Sequence, residues 1–73
     1  MKHDREIKLL DVVALLKEKP PHKLSIGQVG TIVEILDKGV FEVEFTNKSG
    51  ETIAMLPLKE EELLLLHYEV EMV

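Results

Sequence analysis

The chain has no cysteine and no tryptophan, and only two phenylalanines and one tyrosine. Without cysteine there is no disulfide, no thiolate metal site and no cysteine nucleophile. Arginine occurs only at Arg5, and Lys and Arg together number 9 against 14 Asp and Glu, for a net charge of −5. That balance is a poor basis for nucleic-acid binding, which draws most of its affinity from phosphates neutralised by Lys and Arg. No apolar run approaches the ~18 residues of a membrane-spanning helix. The charged start, Met1-Lys2-His3-Asp4-Arg5-Glu6, leads into no uninterrupted apolar stretch of signal-peptide length. These absences predict a soluble cytoplasmic protein with no membrane association.

What remains is one small domain of 73 residues. A chain this short buries only about 60% of its unfolded surface, and a single core of this size supplies roughly 3–5 kcal/mol. The charge is uneven. Residues 1–36 carry six Lys/Arg against five Asp/Glu, and residues 37–73 carry three against nine. An acidic half of this kind steers basic protein partners.

Residues 1–6 read as a frayed N-terminus. Within Ile7 to Leu16, residues Ile7, Leu10, Val13 and Leu16 fall at helical spacing. Yet Asp11-Val12-Val13 is β-rich, the apolar block is nearly continuous from Leu9, and no N-cap precedes it, so the segment reads as a strand. Lys17 to Lys23 contains Pro20 and Pro21, which fix φ and donate nothing to a ladder; it is a stiff loop, after which Leu24 and Ile26 tuck back. Gly27 and Gly30 punctuate the start of a second strand, Gln28 to Leu36, where glycine permits positive φ, a bulge or a close backbone approach. Period two places Val29, Thr31, Val33 and Ile35 on its inner face. Asp37-Lys38-Gly39 is a turn with Gly39 suited to a left-handed position.

The third strand, Val40 to Thr46, alternates cleanly, with Phe41, Val43 and Phe45 inward and Glu42, Glu44 and Thr46 outward. Asn47 to Gly50 is the next turn. A fourth strand, Glu51 to Leu58, puts Ile53 and Met55 inward, and Pro57 marks an edge or a strand end. Lys59 to Glu62 is one helical or 3₁₀ turn, Leu63 to Leu66 a closing strand, and residues 67–73 a strand-like C-terminal tail. The expected core is Val13, Leu15, Val29, Val33, Phe41, Val43, Phe45, Ile53 and Leu63.

Five short strands, a long first loop, tight later turns and a single 3₁₀ or helical turn before the last strand form the layout of an SH3-like barrel. The expected fold is all-β: a small five-stranded SH3-like barrel over residues 7–66.

Few residues carry chemistry. His3, His22 and His67 share no metal-ligand spacing. Ser25 lies three residues from His22, with nothing nearby to orient a base. The carboxylates Glu42 and Glu44 lie on one strand face, and Glu60, Glu61 and Glu62 form a charge cluster. A barrel this small has little room for a cleft holding two carboxyls in different environments. Gly27 and Gly30 precede a strand and no lysine, so they are not a phosphate loop. No catalytic, cofactor or metal residues are assigned, and the expected protein is not an enzyme.

The segments Ile7-Lys8-Leu9-Leu10-Asp11-Val12-Val13-Ala14-Leu15, the proline loop with Leu24, Gly27-Gln28-Val29-Gly30-Thr31-Ile32-Val33-Glu34, Phe41-Glu42-Val43-Glu44-Phe45, Gly50-Glu51-Thr52-Ile53-Ala54 and Leu63 to Leu66 together resemble the small bacterial and archaeal proteins grouped as domain-of-unknown-function family 4926. The resemblance spans residues 7–66. It implies an SH3-like, stand-alone chain and an immunity or antitoxin role beside a toxin, and it carries over no functional residue. The order strand, loop, Gly27-x-x-Gly30, strand is also similar to the KOW module of ribosomal proteins and transcription factors. Gly30 to Leu36, Val43-Glu44-Phe45 and Glu60 to Leu63 are similar to the SH3-like, non-catalytic variable subunit of ferredoxin–thioredoxin reductase. Both likenesses are of fold.

The C-terminal run carries the interaction signal. A strand hides only alternate side chains, so two of the four leucines at 63–66 must face away from the core. Tyr68, Val70 and Met72 continue that surplus along one face. Leu64, Leu66, Tyr68, Val70 and Met72 are therefore the candidate partner-binding residues, for a protein partner or a homodimer through the C-terminal edge. The expected function is a non-enzymatic protein-binding module, of antitoxin or immunity type or accessory to a neighbouring protein. The alternative is a KOW-like nucleic-acid or ribosome-associated barrel that uses Lys17, Lys19 and Lys23.

Overall fold

The computed structural model describes residues 6–67. The chain is all-β: β1 (Val12–Leu15), β2 (Val29–Asp37), β3 (Val40–Thr46), β4 (Thr52–Lys59) and β5 (Leu63–Leu65), with 3₁₀ turns at Pro20–His22 and Glu60–Glu62. The strands form one antiparallel sheet in the order β4-β3-β2-β1-β5. Among the described residues no helix is long and apolar enough to cross a membrane. The expected frayed segment and strand-like tail fall, apart from Glu6 and His67, outside the described residues.

The barrel expected from the strand layout is not closed. Among the described residues β5 pairs with β1 alone, and β4 and β5 are the two edges of the sheet. β5 is only three residues long and β4 carries Pro57, which lacks an N–H and suits an edge strand. The sheet nevertheless curls strongly. Four inter-strand gaps of about 4.8 Å would hold its edges about 19 Å apart if it were flat. The link from Lys59 to Leu63 reaches at most about 14 Å even fully extended, and a 3₁₀ turn is far shorter. The short link therefore wraps the sheet around one core, formed by Ile7, Val13, Leu15, Leu24, Ile32, Phe41, Val43, Phe45, Leu56, Leu58 and Leu63.

Two strands bury the opposite face from the one their alternation predicts. In β2 the buried residues are Gly30 and Ile32; Val29 is exposed, Thr31 and Val33 are half-buried, and Ile35 lies opposite Phe41 yet is exposed. Gly30 lies directly opposite Phe45, and the register slips between Ile32 and Glu34, so a bulge at Val33 also breaks the period. In β4 the register sets Ala54, Leu56 and Leu58 opposite Phe45, Val43 and Phe41. Directly opposed residues share a face, so Met55, opposite Glu44, points out, and Ile53 sits unpaired at the register shift between Phe45 and Thr46; both are exposed. Val29, Val33 and Ile53 therefore leave the expected core, whereas Val13, Leu15, Phe41, Val43, Phe45 and Leu63 are buried in it.

The first segment is a strand only from Val12. Before it, Asp11 N–H donates to the Lys8 carbonyl (3.0 Å), and Leu10 adopts a positive φ of 72°. This turn leaves Leu9 and Leu10 exposed. The proline loop is pinned by reciprocal Lys19–Leu24 backbone bonds of 2.9 and 3.2 Å. Leu24 tucks into the core as expected, while Ile26 is exposed. Gly39 takes the left-handed position expected of it.

Candidate partner-binding face

The four leucines divide as a strand must divide them. Leu63 is buried and Leu65 packs against the core. Leu64 is 51% exposed. Leu66 N–H donates to the Val12 carbonyl (3.0 Å), which carries the alternation one residue past β5 and sets Leu66, half-buried, beside Val12 on the outer face.

The register shows what surrounds Leu64. Ala14 is opposite both Leu64 on β5 and Val29 on β2. The three side chains form a row across the outer face, and Ala14 is only 8% exposed because its larger neighbours cover it, while Val29 is 50% exposed. The next row holds Leu66, Val12 and Thr31. Leu64 and Leu66 therefore sit in an apolar outer face shared by three strands. The sequence conceals this face because period two sets Val29 inward and Ala14 carries no signal of its own. Tyr68, Val70 and Met72 lie outside the described residues.

Beside this face β5 has a free edge. Leu16 N–H donates to the Glu62 carbonyl (2.8 Å) and Leu66 N–H to that of Val12. In an antiparallel ladder such bonds fall on alternate residues, so Leu64 also turns its backbone to β1, and Leu63 and Leu65 turn theirs away. Leu63 N–H is taken by the Glu60 carbonyl. Leu65 N–H, its carbonyl and that of Leu63 face outward, and among the described residues no strand pairs with them. A groove of about 560 Å³ runs along this edge, lined by Ile7, Glu60, Glu61, Leu63, Leu64 and Leu65.

Glu62 holds the start of β5 in place. Its carboxylate accepts Lys19 Nζ at 2.6 Å and the Lys59 backbone N–H at 2.9 Å. These bonds hold its carboxyl below the usual glutamate range, the Lys19 bond contributing most and burial opposing. A depressed pKa means that the stabilisation is present above the unfolded-state value near 4.5 and is lost as pH falls through the folded-state value. Glu62→Gln is expected to cost about 1–2 kcal/mol near neutral pH, as loss of a charge-assisted hydrogen bond. In urea titrations the gap between the variant and the parent should narrow as pH falls below that window. A gap that is constant with pH contradicts the assignment.

The other sequence candidates are scattered. His22 and Ser25 are exposed in the first loop, and no hydrogen bond joins them. Among the described residues no three of His, Asp and Glu gather in a way that could hold a metal ion. Glu42 and Glu44 lie on the outer face of β3, with Glu44 hydrogen-bonded to the Thr52 hydroxyl.

The family model of a domain of unknown function, DUF4926, matches residues 9–65 of the chain. No curated protein and no solved structure matches the chain.

Proposed function

We propose that this chain, which belongs to the DUF4926 family, is a cytoplasmic, non-enzymatic protein-binding module that docks through the outer face and free edge at β5. The observation that carries the reading is the row Leu64–Ala14–Val29 with two half-exposed aliphatic side chains beside an unpaired strand edge. Exposed apolar surface next to a free edge favours association with another polypeptide. An immunity-type or accessory role beside a neighbouring protein uses such a surface and needs no catalytic group.

The test is the double variant Leu64→Thr/Val29→Thr, which keeps β-forming side chains and removes the apolar row. Thermal unfolding should move little, since exposed positions shift stability by about 0.5 kcal/mol each. Sedimentation equilibrium, run alone and with the protein encoded beside it, should show loss of whatever association the parent makes. Unchanged association contradicts the reading.

The nucleic-acid alternative relies on Lys17, Lys19 and Lys23. Of these, Lys19 is engaged with Glu62 at 2.6 Å, which leaves two exposed loop lysines for phosphates. Fluorescence anisotropy with labelled RNA at about 150 mM salt is expected to show no sub-micromolar binding. Tight binding that survives this salt would promote the alternative.

A further inference from the structure

We infer that the groove beside β5 takes an extended, basic segment of another protein, added as a strand to the free edge; this rests on the docking reading above and names the partner's chemistry. Three features converge on it. The edge offers one donor and two acceptors, Leu65 N–H and the carbonyls of Leu63 and Leu65. They suit a strand of three or four residues, since pairing repeats every second residue. The groove floor is apolar, made by Ile7, Leu63 and Leu65, and its volume lies within the range of about 300–1,000 Å³ typical of binding clefts. Among the described residues its charged lining is Glu60 and Glu61, both exposed, and neither pairs with a lysine there. The third glutamate of the turn, Glu62, is already neutralised by Lys19.

A second copy of the chain fits this edge poorly. The β5 strand of a second copy is three leucines and brings no cation to set against Glu60 and Glu61, in a protein of net charge −5. A segment that alternates apolar and Lys or Arg residues meets every feature: backbone to the edge, apolar side chains to Ile7 and Leu63, and cations to Glu60 and Glu61.

The experiment is a titration of the full ¹⁵N-labelled chain with synthetic peptides of alternating Val and Lys, alternating Val and Glu, and the Val/Lys peptide N-methylated on alternate backbone nitrogens. The Val/Lys peptide should shift the amides of Ile7 and of residues 60–65. The Val/Glu peptide should bind about tenfold more weakly, and N-methylation should abolish the shifts. Glu60→Gln/Glu61→Gln should remove the preference for Lys while the fold stays intact. Equal binding of the Lys and Glu peptides, shifts elsewhere on the protein, or self-association through β5 would overturn the inference. If the peptides fail while Leu64→Thr/Val29→Thr still abolishes association with a protein partner, the docking reading survives and the basic-segment inference does not.

Discussion

Phe45→Ala is expected to unfold most of the protein at room temperature. Phe45 is fully buried, and its ring lies over Gly30 on β2 and within the same core as Phe41, Val43 and Leu56. Truncation removes the ring's burial and leaves a cavity that a curled single sheet has no second layer to refill. Phe→Ala in a core costs about 3–5 kcal/mol, which matches the roughly 3–5 kcal/mol that a core of this size provides. Phe41→Ala should act similarly, because Phe41 is buried in the same cluster. Urea unfolding followed by far-ultraviolet circular dichroism checks both. Two variants that unfold like the parent would mean that the alternation of β3 faces the wrong way.

Gly30→Val is the second large effect, and its cause is space. Gly30 is not among the residues with positive φ. A Cβ at this position would lie 2.7 Å from Val43 Cγ1 and 2.8 and 2.9 Å from Phe45 Cε1 and Cδ1. Those partners are buried and cannot swing into solvent. Overpacking of this kind costs about 1–3 kcal/mol, so Gly30→Ala should fall in that range and Gly30→Val at or above its top. Coupling identifies the mechanism: in a double-mutant cycle, Gly30→Ala combined with Phe45→Leu should lose less than the two single losses added together. Additive losses would point to a cause other than the Phe45 contact.

The parts legible in the sequence were those where one residue type decides the answer. β3 has bulky apolar residues at every second position and charge between them, so its limits and its inward face followed directly. The turn at Gly39, the 3₁₀ turn before β5 and the division of Leu63 to Leu66 were equally forced. β2 and β4 were not, for different reasons. In β2 the inward position nearest the core is a glycine, which carries no hydrophobic signal, and the bulge at Val33 removes the period. In β4, Ile53, Ala54, Met55 and Leu56 are apolar at both parities, so only pairing with β3 selects a face. Closure was also beyond reach, since it depends on whether two edges meet and not on any one strand. The candidate face is half visible in the sequence: alternation sets Leu64 and Leu66 outward, but the same period sets Val29 inward and hides the row that surrounds them.

Amide hydrogen exchange of Leu64, Leu65 and Leu66 in the full chain reports whether the edge of β5 is open for a partner. Leu66 N–H is bonded to the Val12 carbonyl and Leu64 faces Ala14 on β1, so both should be protected. Leu65 N–H should exchange much faster in the free protein and become protected when the edge is occupied. If Leu65 is as protected as Leu64 and Leu66 in the free monomer, the edge is already covered and the docking account is contradicted.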